Sequence, residues 1–215
     1  MEKVNQTKGP RSYGQFCALA RSLDVVGDRW TLLIVRELLA GPMRYTELKT
    51  SLEGVATNLL SARLKTMEAN GIIDRRLEGA GVAYALTPWG MELREPMEAL
   101  GRWGAPLLAS GPGDDAFQPR WLILALPAML RGVTASSPVE IGIEVDGFLM
   151  VLRVDEDGPT AFARTDQRPR TVFTAASDVV IGLAAGGITI DQALAMGALD
   201  GDEGVLAEVF ATSAH

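Results

Sequence analysis

Residues 56–77 read Ala56-Thr-Asn-Leu-Leu-Ser-Ala-Arg-Leu-Lys-Thr-Met-Glu-Ala-Asn-Gly-Ile-Ile-Asp-Arg-Arg-Leu77. Leu60, Leu64 and Met67 recur at i, i+4 and i+7, so they share one face of a helix. Asn58, Ser61, Ala62 and Lys65 fall on the opposite face, which is small, polar and carries a single positive charge. Thr57 can cap the start, because its hydroxyl can accept an early unpaired N–H. Asn70-Gly71 is a stop signal, since glycine tolerates the left-handed conformation that ends helices. Ile72 and Ile73 then open a strand.

Downstream, Ile72 to Leu77 and Val82 to Leu86 are β-rich runs separated by Gly79-Ala80-Gly81, which predicts a hairpin. Arg75 and Arg76 are adjacent, so in a strand they point to opposite faces, and at least one is exposed. No basic residue stands at the hairpin tip. Upstream, Phe16, Leu19, Leu23 and Val26 predict a helix over Tyr13 to Val26, ended by Gly27. Asp28 can cap a second helix, Arg29 to Leu39, with Trp30, Leu33, Ile34 and Leu38 inward. Gly41-Pro42 breaks it, and Tyr45 to Leu52 is a short third helix. Three short helices, a tight turn at Glu53-Gly54-Val55 and a fourth helix make a helix-turn-helix core. With the hairpin added this is a winged helix, whose narrow polar face fits a DNA major groove. A solvated polar face is the plainer reading of the same helix. The two arginines, too, can be either phosphate contacts or solvated side chains.

Thr87 can cap a last helix, with Pro88 at its first position. Trp89, Leu93, Met97, Leu100, Gly104 and Leu107 form a stripe along it, and Pro96 should bend it. Such a stripe needs a partner, either the first helix of a second subunit or the rest of this chain. Residues 1–12 are polar and read as a mobile segment. Residues 109–119 read as a linker. Beyond them, Trp121 to Leu130 is apolar on all sides and should be buried. Val139 to Val145 and Phe148 to Val154 flank an Asp146-Gly147 turn, and Thr160 to Arg164 and Thr171 to Thr174 look like further strands. Ser177 would cap a helix over Asp178 to Ala185. Shorter helices follow at Asp191 to Ala195 and from Asp202 onward. The fold class is therefore α+β, with domains at 13–108 and 120–215.

Composition narrows the chemistry. The 215 residues are 47% hydrophobic and 22% charged, as in folded proteins. No apolar run reaches the roughly 18–20 residues of a membrane span. The first ten residues carry no apolar signal core, which argues against export and for a cytoplasmic protein. One cysteine, Cys17, and one histidine, His215, leave no parts for an intramolecular disulfide, a His/Cys metal site or a histidine-based catalytic triad. No catalytic residue, metal or cofactor is assigned. Net charge is −7, but residues 1–110 hold 14 basic and 12 acidic residues while residues 111–215 hold 6 and 15. A +2 half and a −9 half suit different partners, and the acidic half should face away from phosphate.

The set Cys17-Ala-Leu-Ala-Arg21, Leu23-Asp-Val-Val-Gly-Asp-Arg-Trp-Thr-Leu-Leu-Ile-Val-Arg-Glu-Leu38, Arg44-Tyr-Thr-Glu-Leu48, Ala56-Thr-Asn-Leu-Leu-Ser-Ala-Arg-Leu64 and Tyr84-Ala-Leu-Thr-Pro-Trp-Gly90 resembles, in that order, the HxlR family of prokaryotic, MarR-like winged-helix regulators. The resemblance covers about residues 13–108. It implies a homodimer formed through the first and last helices, with Phe16, Trp89, Leu93, Met97, Leu100 and Leu107 at the interface. It also implies that the 57–70 helix lies in the major groove of double-stranded DNA. Thr57, Asn58, Ser61, Arg63 and Lys65 become base or phosphate candidates, joined by Arg75 and Arg76 of the wing. Arg63 lies nearer the buried face, where a structural ion pair is the alternative. Cys17 matches the position of a redox-sensing cysteine in some members. Its apolar flanks equally suit a small core residue.

In the second half, Ser177-Asp-Val-Val-Ile-Gly-Leu183 and Asp191-Gln-Ala-Leu-Ala-Met-Gly-Ala-Leu-Asp-Gly-Asp202 resemble the sterol-carrier-protein fold over roughly residues 120–213. That fold implies a sheet covered by helices around an apolar tunnel. Phe148, Met150, Phe162, Phe173, Leu183 and Ile188 are the candidate lining, and ordinary core is the alternative for each. The expected function is a dimeric regulator of transcription whose C-terminal domain binds an apolar effector or supports assembly. The alternative is a lipid or metabolite carrier in which the winged helix only dimerises.

Overall fold

The computed structural model describes residues 12–79, 81–108, 111, 113–163 and 167–210. The segment expected to be mobile, 1–12, lies outside the described residues apart from Ser12, as do part of the 109–119 linker and His215. Helix α1 (Ala18–Val26) starts five residues later than Tyr13. The reason is Asp24, whose carboxylate accepts the Tyr13 N–H and the Ser12 hydroxyl, each at 2.8 Å, and so draws the preceding chain back along the helix. These bonds, the Tyr13 N–H first, hold the Asp24 carboxyl below its ordinary value.

Helix α2 (Thr31–Leu39) buries Ile34, Val35, Leu38 and Leu39, but Leu33, expected inward, is exposed. Asp28 does not cap it with its side chain: the carboxylate is taken by Arg63, and Trp30 occupies the cap position at φ 81°. Strand β1 (Met43–Arg44) leads into α3 (Tyr45–Ser51), where Glu47 accepts the Arg44 N–H. Helix α4 (Thr57–Ala69) buries Leu60, Leu64 and Met67, as their spacing requires. Its cap residue is Ala56 and Thr57 is the first helical residue, so the Thr57 hydroxyl is not a cap. Gly71 ends it at φ 73°, with the Ile72 N–H returning to the Met67 carbonyl.

Strands β2 (Ile73–Glu78) and β3 (Gly81–Leu86) pair antiparallel, and β1 joins the free edge of β3, giving the order β1-β3-β2. Thr87 then caps α5 (Pro88–Met91) by accepting the Gly90 N–H. A Cβ on Gly90 would lie 2.1 Å from the Ile72 carbonyl oxygen, so only glycine lets this turn close on the sheet. The long bent helix expected from the apolar stripe is two helices. The chain breaks at Glu92-Leu93, and α6 (Arg94–Gly104) restarts with Pro96 in its first turn, where a missing N–H costs no hydrogen bond. A 3-10 turn, Ala105–Leu108, extends it.

The second half begins with a 3-10 turn, Pro119–Trp121, and the buried helix α7 (Leu122–Met129). Strands β4 (Val139–Val145), β5 (Phe148–Asp155), β6 (Gly158–Ala163), β7 (Val172–Thr174) and β8 (Ala198–Asp200) form one sheet in the order β6-β5-β4-β7-β8. All its pairs are antiparallel except β4 with β7. Asp146 and Gly147, at φ 49° and 77°, make the two-residue turn between β4 and β5. Arg164, the expected end of the third strand, lies outside the described residues. Helices α8 (Ser177–Ala184), α9 (Ile190–Met196) and α10 (Glu203–Phe210) complete the half. Ser177 is the first residue of α8 and not its cap. Strand β8 was too short to show a pattern.

The two halves share a seam. Glu37 on α2 is fully buried, and its Oε1 accepts from Trp121 Nε1 at 2.8 Å and from Arg36 Nη2 at 2.8 Å. The Arg36 guanidinium lies 3.8 Å above the Trp121 ring, and Arg120 Nε stands 3.6 Å from the second carboxylate oxygen. Arg94 donates to the Ile123 carbonyl, and Gln118 to that of Ser51. Ala40 packs into the C-terminal core and Leu124 against the N-terminal one. No helix among the described residues is long and apolar enough to cross a membrane.

Candidate nucleic-acid interface

The turn between α3 and α4 is built by groups that leave the outer face of α4 free. Gly54 takes φ 82°, where a side chain would be strained. The Lys49 ammonium donates to the Val55 carbonyl, across the turn. The Tyr45 hydroxyl donates to the Thr57 carbonyl at 3.0 Å and accepts from the Ser61 hydroxyl at 3.2 Å, so it holds α4 by its first two turns. Spacing alone could not show Tyr45 in this role, since it acts across 12 residues. Thr57, Asn58, Ser61 and Lys65 are all exposed: Asn58 and Lys65 stand opposite the buried Leu60 and Met67, Ser61 flanks them, and Thr57 is at the first turn of the helix. The Asn58 amide oxygen accepts the Leu59 N–H.

The arginines are placed differently. Arg63 is turned to the body of the domain, its side chain 15% exposed and paired with Asp28. This is the geometry of the structural ion pair named as its alternative. Arg75 pairs with Glu68 of α4 at 3.0 Å and lies 5.7 Å over the Tyr84 ring, which fixes the wing beside the helix. Arg76 pairs with Asp74 at 3.1 Å. Both stay exposed at the surface.

The apolar stripe divides. Leu93 and Met97 turn inward and pack in the N-terminal core, against which α7 also lies, so they are not free for a second subunit. Phe16, Trp89, Leu100 and Leu107 are exposed, Phe16 completely. The structure adds Tyr13, Leu19, Trp103 and Leu108 to this uncovered surface. Trp103 was legible at i+3 from Leu100. Cys17 is exposed at the start of α1, which corrects its reading as a core residue. The Arg21 guanidinium is engaged by Ser12 and Asp24.

The six proposed lining residues do not surround one space. Met150, Phe173 and Leu183 belong to a closed-packed core, with Phe148 and Ile188 against it. Phe162 pairs with Val151, one residue out of phase with Met150, and so lies on the reverse face of the sheet. A cleft of about 420 Å3 opens instead at the seam, between α3 and Arg120. Among the described residues no group of three His, Cys, Asp or Glu side chains is placed to hold a metal.

Residues 25–111 match the family model described as HxlR-like helix-turn-helix. The chain is 32% identical over 98 residues to the uncharacterized HTH-type transcriptional regulator sll1512 of Synechocystis, covering 44% of this chain and 73% of that one. It is 30% identical over 86 residues to YvaP of Bacillus subtilis, named in the same way, covering 39% and 80%. Among solved structures, the reduced form of the transcriptional regulator YodB from B. subtilis is 28% identical, with 45% of this chain and 99% of that chain covered and a TM-score of 0.40. These relatives are transcriptional regulators, not enzymes. The outward face of α4, the hairpin beside it and this match have one conclusion: the chain belongs to the HxlR-like helix-turn-helix family of DNA-binding transcriptional regulators.

Proposed function

We propose that the protein is a homodimeric, sequence-specific regulator that reads a two-fold-related site, with half-sites about one helical turn apart. The observation that carries this is the outward side of α4, where Asn58, Ser61 and Lys65 are exposed to solvent, with Thr57 exposed at its first turn. Asn58 and Ser61 read base edges, Thr57 and Lys65 take phosphates, and Arg75 and Arg76 flank them. The exposed apolar side chains of α1 and α6 support dimerisation, because exposed apolar patches mark interfaces. Two domains, 13–108 and 120–215, divide the work within a cytoplasmic protein. The five-stranded sheet and its helices support the sterol-carrier-like reading of the C-terminal domain. Its closed core means that an apolar effector would enter only by opening it. An effector changes DNA affinity only by binding two conformations unequally, and α6 and α2, both in contact with α7, are elements through which the halves meet.

The test is fluorescence anisotropy with the duplex upstream of the protein's own gene and with random duplex, over a salt series. Specific binding that weakens steeply with salt is expected. Saturable lipid uptake with no salt-sensitive DNA binding would replace this reading with the carrier.

A further inference from the structure

The wing has no basic residue in its own turn, yet the fold brings one there. Arg44, in β1, sits beside Ala83 of β3, and its Nη2 donates to the Glu78 carbonyl, 34 residues further along the chain, at 3.2 Å. A Cβ on Gly81 would lie 3.2 Å from the Arg44 Cζ and 3.3 Å from its Nε, and one on Gly79 would lie 4.0 Å from Nη2. Gly81 is outside the left-handed region, so its backbone does not demand glycine. What its missing side chain provides is room for the guanidinium. The Arg44 backbone is fixed from both sides, by β3 and by the Glu47 carboxylate that accepts its N–H.

Arg63, Arg75 and Arg76 each have a carboxylate partner. Among the described residues Arg44 has none within 4.0 Å, and it is exposed. Glu78 is otherwise the charged residue of the turn, so without Arg44 the tip would repel DNA. A guanidinium that gives one N–H to a carbonyl keeps the rest of its fork for another acceptor, and that fork matches phosphate.

We propose that Arg44 is the DNA contact at the tip of the wing, its guanidinium binding the phosphates that flank the major-groove half-site. This rests on the DNA-binding reading above. Phosphate contacts carry no sequence information, so Arg44 sets affinity and register and leaves base choice to α4.

The experiment is anisotropy with the full chain, on the upstream duplex and on random duplex, between 50 and 200 mM salt. Arg44→Ala is expected to weaken both by a similar factor and to reduce the slope of log K against log salt by about 0.9 per guanidinium removed. Over that fourfold range this is about 3.5-fold less affinity lost per contact. Gly81→Ala, which keeps the charge but crowds the guanidinium by a few tenths of an ångström, should weaken both duplexes by a smaller factor while α3 and its cap stay intact. Ethylating single flanking phosphates should weaken the wild type and leave Arg44→Ala indifferent. Wild-type binding with unchanged slope in both variants would overturn the role of Arg44 and leave the regulator standing. A wild type with no salt-sensitive binding would overturn both.

Discussion

At the scale of single residues, the outer face of α4 separates two kinds of contact, and each has its own signature. Lys65 is a mobile point charge, so Lys65→Ala should weaken binding to every sequence and flatten the salt slope by about 0.9 per protomer. Asn58 offers an amide, the group that reads adenine, so Asn58→Ala should cost about 1–3 kcal/mol on the specific site and little on random duplex. Competition anisotropy separates the two. An Asn58→Ala loss equal on both duplexes would remove it from base reading. Glu37 belongs to this scale as well, because a buried carboxylate is tolerated only with its partners. Trp121→Phe removes the indole N–H that bonds it, and should lower stability by about 1–3 kcal/mol in a denaturant titration. An unchanged midpoint would show that the bond adds nothing net.

At the scale of elements, α6 carries a pH dependence. Burial raises the Glu98 carboxyl above its ordinary value, and Arg94, 4.0 Å away, offsets this only in part. A carboxyl raised in the folded state binds its proton more tightly there than in the unfolded chain. Its contribution is therefore greatest below the ordinary value of 4.5 and is lost as pH rises through the higher folded value. Glu98→Gln cannot titrate, so its stability should improve relative to the wild type as pH rises from 4 to 7. Denaturant midpoints across that range would show it, and a constant difference would refute it.

The elements also show what a sequence can reveal. The spacing of Leu60, Leu64 and Met67 located α4, and Gly79 and Gly81 located the hairpin, because periodicity and turn chemistry act over a few residues. The cap proposed for Asp28 failed for the opposite reason. The partner of Asp28 is Arg63, 35 residues away, and no local pattern announces it. Arg44 at the wing and the hold of Tyr45, in α3, on α4 were hidden in the same way. Leu93 and Met97 looked like interface until α7 and the N-terminal core took them. In the second half, a resemblance suggested a tunnel, while packing decided that most of its proposed lining is core.

At the scale of the whole molecule, the uncovered apolar surface makes association testable. Trp103, 76% exposed, and Leu100, 51% exposed, stand on it away from α4. Leu100→Asp with Trp103→Asp should leave a folded chain that sediments at half the mass of the wild type. It should also lose affinity for a two-half-site duplex far more than for a single half-site. A wild type that sediments as a monomer at micromolar concentration would remove the dimer. The −9 charge of residues 111–215 argues that DNA approaches from the α4 side alone.

The seam at Glu37 also places the two halves in time. Trp121 follows its partner by 84 residues, so at about 5–20 residues per second the ribosome delivers the indole roughly 4–17 s after the carboxylate. The N-terminal half has every residue of its own core long before then, and in that interval Glu37 has Arg36 and water for company. A chain that ended before Gln118 would thus keep the Glu37 side of the winged helix wet, and the residues that follow close it.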